Sequence, residues 1–359
     1  KYSYATMSTR GVQPIVHSRH AACATTNNAY FHLRNGVRGN LTSRSKSATR
    51  ARRRDVLDVS YDEPDSAVSL IGKAMDDIYG HANCTRIKKS LDLTLSGAEV
   101  HRQIEGKGEQ RASSYIEGLN AIPYHDVYNG NFIWMEILER EHERIQRELE
   151  GALANPELAT LGNSVWAPAA REEAIAYGPN WRTLVLQDRC QWENVNAQLF
   201  PVTTALLKDS KCPSVEVFFA RQPPKTGIKP HTDNTNFILT AHLGLDVPER
   251  LSWMQVGDFK QYWENGKGLV ADTSFIHSTA NESAEMDRYV LIVRFWHPEL
   301  SEVECQALQF LFDALDDPTA YGISAAAQRA KERLPSRLRR RKKKQSSGGG
   351  LGLLSKGMH

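Results

Sequence analysis

Two periodicities divide the chain into a helical part and a β-rich part. Over residues 66–79 and 132–153, apolar residues recur every three or four positions, which predicts two amphipathic helices. The apolar face predicted for the second helix is formed by Ile133, Ile137, Ile145 and Leu149. Charged residues occupy its opposite side, so we expect the apolar face to pack on a sheet.

After about residue 180 the period changes to two, as in half-buried strands. The segments with this alternation, rich in Val, Ile and Phe, are residues 215–220, 236–245, 268–272 and 289–296. Asn265-Gly266, just before the third segment, predicts a hairpin. Several short strands separated by turns favour an antiparallel sandwich or barrel over a parallel sheet.

Composition narrows the class of protein. The 359 residues are 40% hydrophobic and 24% charged, as in a globular protein with a substantial core. The five cysteines show no CxxC spacing, which argues against a zinc knuckle and against a disulfide scaffold. No run of about 18 apolar residues is present, so we expect no membrane-spanning helix.

The formal net charge of +3 combines two basic ends with an acidic body. Residues 1–54 contain eleven Lys and Arg and no Asp or Glu, which fits an organellar transit peptide and equally a disordered basic segment. Residues 329–359 contain eleven Lys and Arg with one acid, and the run RLRRRKKK before SSGGG predicts a flexible tail. The compartment stays open between an organelle, the cytosol and the nucleus.

One constellation of polar residues has the composition of a metal site. His231 and Asp233 form an H-x-D pair, whose side chains project to the same side of a strand end, and His277 follows a later strand. Two imidazoles and one carboxylate bind non-haem Fe(II) and leave positions open for a cosubstrate and O₂. Without a metal, His231 would cap a strand and Asp233 would form an Asx turn with Asn234. The three residues alone leave both interpretations open.

Two further residues favour a ligand site. Arg288 opens the last predicted strand, where it could hold a carboxylate through two parallel hydrogen bonds. His242, on the strand after His231, could add a second donor. Taken singly, they would be an ordinary strand-edge arginine and a core histidine.

Four segments between Trp181 and Leu300 carry a joint pattern: QPPKTGIKPHTDNTN, LTAHLGL, WENGKGLVADTSFIHSTAN and DRYVLIVRFWHPEL. In these segments the sequence resembles the aspartyl/asparaginyl β-hydroxylase family of Fe(II)- and 2-oxoglutarate-dependent dioxygenases. The resemblance implies an α+β fold with a mainly β core, a double-stranded β-helix of the jelly-roll or cupin type flanked by helices. It covers about a third of the chain strongly.

The resemblance also implies roles for individual residues. His231 and His277 would bind the catalytic iron, Arg288 would pair with the distal carboxylate of 2-oxoglutarate, and His242 would contact the same cosubstrate. Asp233 stands where the animal epidermal-growth-factor-domain hydroxylases have a glycine, so we expect it to complete a full metal-binding triad here.

Two other departures concern the ligands. A serine that helps to bind 2-oxoglutarate in those hydroxylases corresponds to a position near Ala220. The arginine that binds their substrate carboxylate corresponds to a position near Thr240. The identity of the substrate therefore does not transfer.

These observations predict four regions: a basic segment 1–54, a poorly defined extension 55–120, a dioxygenase domain 121–328 and the basic tail 329–359. The expected function is hydroxylation of an unactivated C–H on an Asp or Asn side chain of a protein or peptide, or on a related amino acid. Two alternatives are a β-rich binding protein whose basic ends contact nucleic acid, and a pseudoenzyme of the same fold.

Overall fold

The computed structural model describes residues 66–155, 166–168, 176–178 and 180–334. The basic segment 1–54 and most of the basic tail, with the targeting, flexibility and nucleic-acid predictions made for them, lie outside the described residues. Within the described ranges, no helix is both long and apolar enough to cross a bilayer.

The described residues form eight helices and fifteen strands. The helices are α1 (Ala67–Tyr79), α2 (His81–Ser96), α3 (Ile133–Arg140), α4 (His142–Ala154), α5 (Asn194–Leu199), α6 (Pro201–Asp209), α7 (Glu302–Asp316) and α8 (Ala320–Arg333). The first eight strands are β1 (Val100–Ile104), β2 (Gly108–Ala112), β3 (Tyr124–His125), β4 (Ala167–Pro168), β5 (Ala176–Tyr177), β6 (Arg182–Asp188), β7 (Gln191–Trp192) and β8 (Ser214–Gln222). The later strands are β9 (Thr226–His231), β10 (Ile238–Asp246), β11 (Ser252–Val256), β12 (Phe259–Tyr262), β13 (Gly268–Ala271), β14 (His277–Asn281) and β15 (Arg288–Trp296).

Two antiparallel sheets form the body of the protein. The larger sheet has the strand order β3-β13-β10-β15-β8-β6-β4, with β7 paired to β6, and the smaller sheet has the order β12-β11-β14-β9-β5. From β8 to β15 the chain passes repeatedly between them, since β8, β10, β13 and β15 lie in the larger sheet and β9, β11, β12 and β14 in the smaller. This winding is a double-stranded β-helix of the jelly-roll type, so the predicted fold class is confirmed.

The alternation of side chains gives the larger sheet two different faces. On one face, Phe219 of β8 and Leu291 of β15 belong to an apolar cluster that also contains buried residues of α3, α4 and α6. On the other face, Ala220 and Val290 join Met254 of the smaller sheet in a second cluster. Every second side chain along β8 from Ala220, and along β15 from Val290, therefore points into the space between the sheets.

The residues before the β-helix support it from outside. Helices α1 and α2 pack with α7 and α8 in a third apolar cluster. The β1–β2 hairpin and the residues after it contact two loops that connect the sheets, where Arg111 donates its backbone N–H to the Ser274 carbonyl at 2.9 Å and Ser114 donates to that of Asn234 at 3.0 Å. These contacts hold the loops that follow β9 and β13.

The prediction of a single helix over residues 132–153 is wrong in one respect. It is divided into α3 and α4 at Glu141, whose backbone angles are φ −97° and ψ 8°. The break rotates one helix relative to the other, and a continuous 3.6-residue period no longer applies across it. Ile133 is therefore exposed, whereas Leu138 and Ile145 are buried.

The prediction of a hairpin at Asn265-Gly266 is wrong as well. Strands β12 and β13, which flank it, belong to different sheets and do not pair. A tight turn does form, since Gly266 has a φ of 73°. Its backbone N–H donates to the Gly244 carbonyl at 2.9 Å, however, and the Asn265 side chain accepts from the backbone N–H of Val247 at 2.9 Å. The turn therefore carries the chain from the smaller sheet to the larger one.

Candidate metal centre

Two strands of the smaller sheet bring the predicted histidines together. His231 ends β9, His277 begins β14, and the two residues lie directly opposite each other in the register of this antiparallel pair. Their ring centroids are 4.1 Å apart. Asp233 follows β9 in a loop that is held by a 2.9 Å hydrogen bond from its backbone N–H to the Thr273 carbonyl. One potential ligand atom from each of the three side chains lies within 4.8 Å of the others.

Backbone carbonyls determine which ring nitrogens of the two histidines carry a proton. The Nδ1 of His231 lies 2.8 Å from the Lys229 carbonyl oxygen, and the Nδ1 of His277 lies 3.0 Å from that of Phe275. A carbonyl oxygen can only accept, so both Nδ1 atoms donate and Nε2 of each neutral ring keeps its lone pair. Histidines that bind metals are oriented in the same manner.

The donor set fits a divalent transition metal. Two imidazole nitrogens and one carboxylate oxygen form the 2-His-1-carboxylate arrangement, which suits Fe(II) and leaves coordination positions open. The Nε2 of His231 and Oδ1 of Asp233 are 3.9 Å apart. In the part of the chain that the structure describes, this is the one group of His, Cys, Asp and Glu residues with such a geometry.

A buried ion pair lies beside Asp233. Nη1 of Arg294 donates to Oε2 of Glu216 at 3.0 Å, and Nη2 of Arg294 is 3.7 Å from Oδ2 of Asp233. Arg294 and Glu216 face each other across β15 and β8. Because Glu216 neutralises the guanidinium, Arg294 can orient the Asp233 carboxylate without adding a net positive charge next to a metal. This pair was not predicted from the sequence, although alternation from Arg288 places Arg294 on the same inner face.

Arg288 and His242 lie on the inner face of the larger sheet, and both contact Trp263. The guanidinium carbon of Arg288 is 4.2 Å from the centroid of the indole ring, and the His242 ring stacks on the same indole at 5.6 Å. Arg288 is 1% exposed. Among the described residues, Nε and Nη1 of Arg288 and both ring nitrogens of His242 have no hydrogen-bond partner.

Burial sets the charge of these two residues. Desolvation lowers the pKa of Arg288 to about 9, so its guanidinium remains charged at neutral pH. Desolvation, followed by the positive charge of Arg288, lowers the pKa of His242 to about 3, so this ring is neutral. The two residues therefore provide one positive charge and several unused hydrogen-bonding groups, which suits a ligand with a single carboxylate at this end.

The loop after β13 supports the site through Asp272. The backbone N–H of Ser274 donates to Oδ1 of Asp272 at 3.0 Å, and Nε2 of Gln110 donates to Oγ of Ser274 at 2.8 Å. Burial raises the pKa of Asp272 to about 7. Since this loop contains Thr273, whose carbonyl holds the Asp233 backbone, Asp272 helps to fix the position of the third potential ligand.

The two positions at which the sequence departs from the animal hydroxylases also lie on the inner face. Ala220 of β8 carries no polar group, and its register partner is Val290. Thr240 of β10 pairs in register with Arg294, and its hydroxyl is 3.1 Å from that of Thr273. The surroundings of these positions thus differ in chemistry from those that the resemblance implies.

The fold and the site define a double-stranded β-helix protein with a candidate 2-His-1-carboxylate metal centre. Comparison with known families then gives a specific match, because residues 139–298 fit the model of the aspartyl/asparaginyl β-hydroxylase family. Residues 139–298 are thus the region that matches this family, which confirms the resemblance.

Two human relatives illustrate the extent of the similarity. Human aspartyl/asparaginyl β-hydroxylase is 33% identical over 204 residues, which are 55% of this chain and 26% of the relative. Human aspartate β-hydroxylase domain-containing protein 2 is 38% identical over 212 residues, which are 55% of this chain and 53% of the relative. The chain therefore matches only part of the length of either relative.

Solved structures give distant similarities. A prolyl-4-hydroxylase from Pseudomonas putida matches with a TM-score of 0.28 and 17% identity, over 46% of this chain and 98% of that one. An oxidoreductase of the 2OG-Fe(II) oxygenase family from Burkholderia pseudomallei matches with a TM-score of 0.27 and 12% identity, over 34% and 70%. The fold assignment rests on the strand pairing of this chain itself.

Proposed function

We propose that this protein is an Fe(II)- and 2-oxoglutarate-dependent dioxygenase that hydroxylates an unactivated C–H bond. The observation that carries the proposal is the convergence of one potential ligand atom each from His231, Asp233 and His277 within 4.8 Å, with the Nδ1 of each histidine beside a backbone carbonyl oxygen. The substrate we propose is an Asp or Asn side chain of a protein or peptide, or a related amino acid, because the human relative at 33% identity is named for hydroxylation of these residues.

In this proposal each residue has a defined task. Nε2 of His231, Nε2 of His277 and the Asp233 carboxylate hold the iron. The positively charged Arg288 binds the distal carboxylate of 2-oxoglutarate, and the neutral His242 donates a further hydrogen bond to it. Trp263 holds both side chains in place and excludes water from the carboxylate. Bound iron supplies the reaction of O₂ with 2-oxoglutarate, which yields succinate, CO₂ and the hydroxylated product.

The test combines metal binding with turnover. Purified protein is freed of metal and titrated with Fe(II) and 2-oxoglutarate under anaerobic conditions, and succinate is then measured in air with peptides that carry Asp, Asn or Ala at one position. We expect one Fe(II) per chain and succinate formation coupled to the gain of one oxygen atom by the Asp or Asn peptide.

Variants separate the site from the rest of the fold. His231→Ala and His277→Ala should lose Fe(II) binding and 2-oxoglutarate turnover, whereas His101→Ala, on the exposed β1 strand, should retain both. Full turnover in either of the first two variants would refute the metal assignment. Iron binding without succinate formation would instead identify a pseudoenzyme. Asp233→Gly shows whether two histidines suffice, since substantial activity in this variant would remove Asp233 from the set of essential ligands.

A further inference from the structure

Gln222 carries a completely buried side-chain amide. It ends β8, is 0% exposed, and neither its amide nitrogen nor its amide oxygen has a hydrogen-bond partner among the described residues. A buried amide without partners is unfavourable, and such groups are uncommon in folded proteins. The side chain therefore has an unused capacity to bind a polar group.

The register of the larger sheet places this amide next to Arg288. Gln222 and Arg288 are directly opposite each other on β8 and β15. Opposite residues of an antiparallel pair project from the same face, with Cβ atoms about 5 Å apart. The backbone of Gln222 is also fixed, because the Asn281 side chain donates to its carbonyl at 3.0 Å. Gln222 is thus a fixed neighbour of the guanidinium on the inner face.

The smaller sheet contributes a second unpaired group. The hydroxyl of Thr279 is buried and has no hydrogen-bond partner within the described part of the chain. Thr279 lies two residues after His277 on β14, and its register partner on β11 is Met254, a member of the apolar cluster between the sheets. Side-chain alternation therefore directs Thr279 into the same space as Arg288 and Gln222.

These three residues have a consistent chemistry. Among the described residues, Nε and Nη1 of Arg288, the amide nitrogen of Gln222 and the hydroxyl of Thr279 have no hydrogen-bond partner, and all of these groups can donate. A carboxylate can accept about four hydrogen bonds and carries one negative charge, which the single guanidinium balances. A group with two negative charges would lack a second cation in this cluster.

We propose that Gln222 and Thr279 bind, together with Arg288, the distal carboxylate of the cosubstrate, and thereby make the site selective for 2-oxo dicarboxylic acids over 2-oxo monocarboxylic acids. This inference rests on the proposed function, since it names additional residues of the same cosubstrate site. A 2-oxo acid without the second carboxylate leaves the guanidinium, the amide and the hydroxyl buried without partners.

The experiment compares Gln222→Leu and Thr279→Val with a matched control, Gln187→Leu. Gln187 is also a buried glutamine, but its register partner is Val217, which packs against the helices on the other face. Binding of 2-oxoglutarate and of 2-oxobutyrate is measured by calorimetry on protein loaded with Mn(II), in which no turnover occurs. We expect 2-oxoglutarate to bind at least tenfold more weakly to each of the two site variants and unchanged to the control. Affinity for 2-oxobutyrate and for Mn(II) alone should remain within twofold of wild type.

Thermal unfolding of the metal-free protein shows whether the variants are folded. Leucine removes an unpaired buried amide, so Gln222→Leu should melt no lower than the wild type without ligand. If Gln222→Leu and Thr279→Val bind 2-oxoglutarate as tightly as Gln187→Leu does, the assignment of both residues is wrong while the proposed function stands. If the Mn(II)-loaded wild type does not bind 2-oxoglutarate at all, the proposed function fails and this inference fails with it.

Discussion

The buried ion pair between Glu216 and Arg294 leads to a quantitative prediction about stability. The side chain of Arg294 is 6% exposed, that of Glu216 is 4% exposed, and their N–O distance is 3.0 Å. With an effective dielectric constant of about 20, the attraction at this distance is about 5 kcal/mol. Removing one partner of a buried pair destabilises a protein by about 3–5 kcal/mol, because the other charge stays buried. We therefore expect Arg294→Met to lower the free energy of unfolding by about 3–5 kcal/mol.

Urea unfolding of the metal-free protein, followed by tryptophan fluorescence, measures this loss. The control is Arg144→Met, which removes an exposed pair with Glu141 at 2.9 Å and should leave the free energy of unfolding nearly unchanged. The double variant Glu216→Leu with Arg294→Met should be more stable than Arg294→Met alone, since it also removes the buried charge of Glu216. A loss in Arg294→Met as small as that in Arg144→Met would show that water screens the pair and would refute the reasoning.

Two further predictions concern groups around the site. The pKa of Asp272 is about 7 in the folded protein and near 3.8 in an unfolded chain. Because the folded state binds the proton more tightly, protonation of Asp272 stabilises the protein below pH 4, and this contribution is lost as the pH rises to 7. Asp272→Asn should therefore stabilise the protein more at pH 7 than at pH 4, by at most about 4 kcal/mol; equal urea midpoint shifts at both pH values would contradict this. Gly257→Ala should destabilise the protein by about 1–3 kcal/mol, because φ is +55° and a Cβ would collide with the Lys107 carbonyl. An unchanged melting temperature would show that the β1–β2 turn moves to make room for the methyl group.

Local sequence patterns predicted much of the fold and part of the candidate site. Alternating apolar residues predicted the long strands, and the same alternation places His242 and Arg288 on the inner face once strand bounds are known. Gln222 was missed because the predicted strand stopped at residue 220, before Arg221 and a proline-rich stretch, whereas β8 continues to Gln222. The end of a strand depends on its partner, here β15, and that pairing is not visible in the local sequence.

Other features depend on contacts between distant segments. The turn residues at Asn265-Gly266 predicted local geometry correctly in that Gly266 has a positive φ, but they could not indicate that the flanking strands belong to different sheets. Similarly, the charge of Glu216 alone predicts an exposed residue, and only the register with Arg294 explains its burial. Pairing across the sheets, rather than propensity, decides these cases.

If the proposed cation binds at this site, the position of the two histidines opposite each other on β9 and β14 couples metal supply to the amount of folded protein. A cation bound to both imidazoles would join two strands of the smaller sheet, and a slip of one residue between them would turn one ring to the outer surface. Such a cation would therefore stabilise the correctly paired sheet alone, by about 2.7 kcal/mol at a hundredfold excess over its dissociation constant. A shortage of the proposed metal would then lower the amount of folded protein as well as the proposed activity.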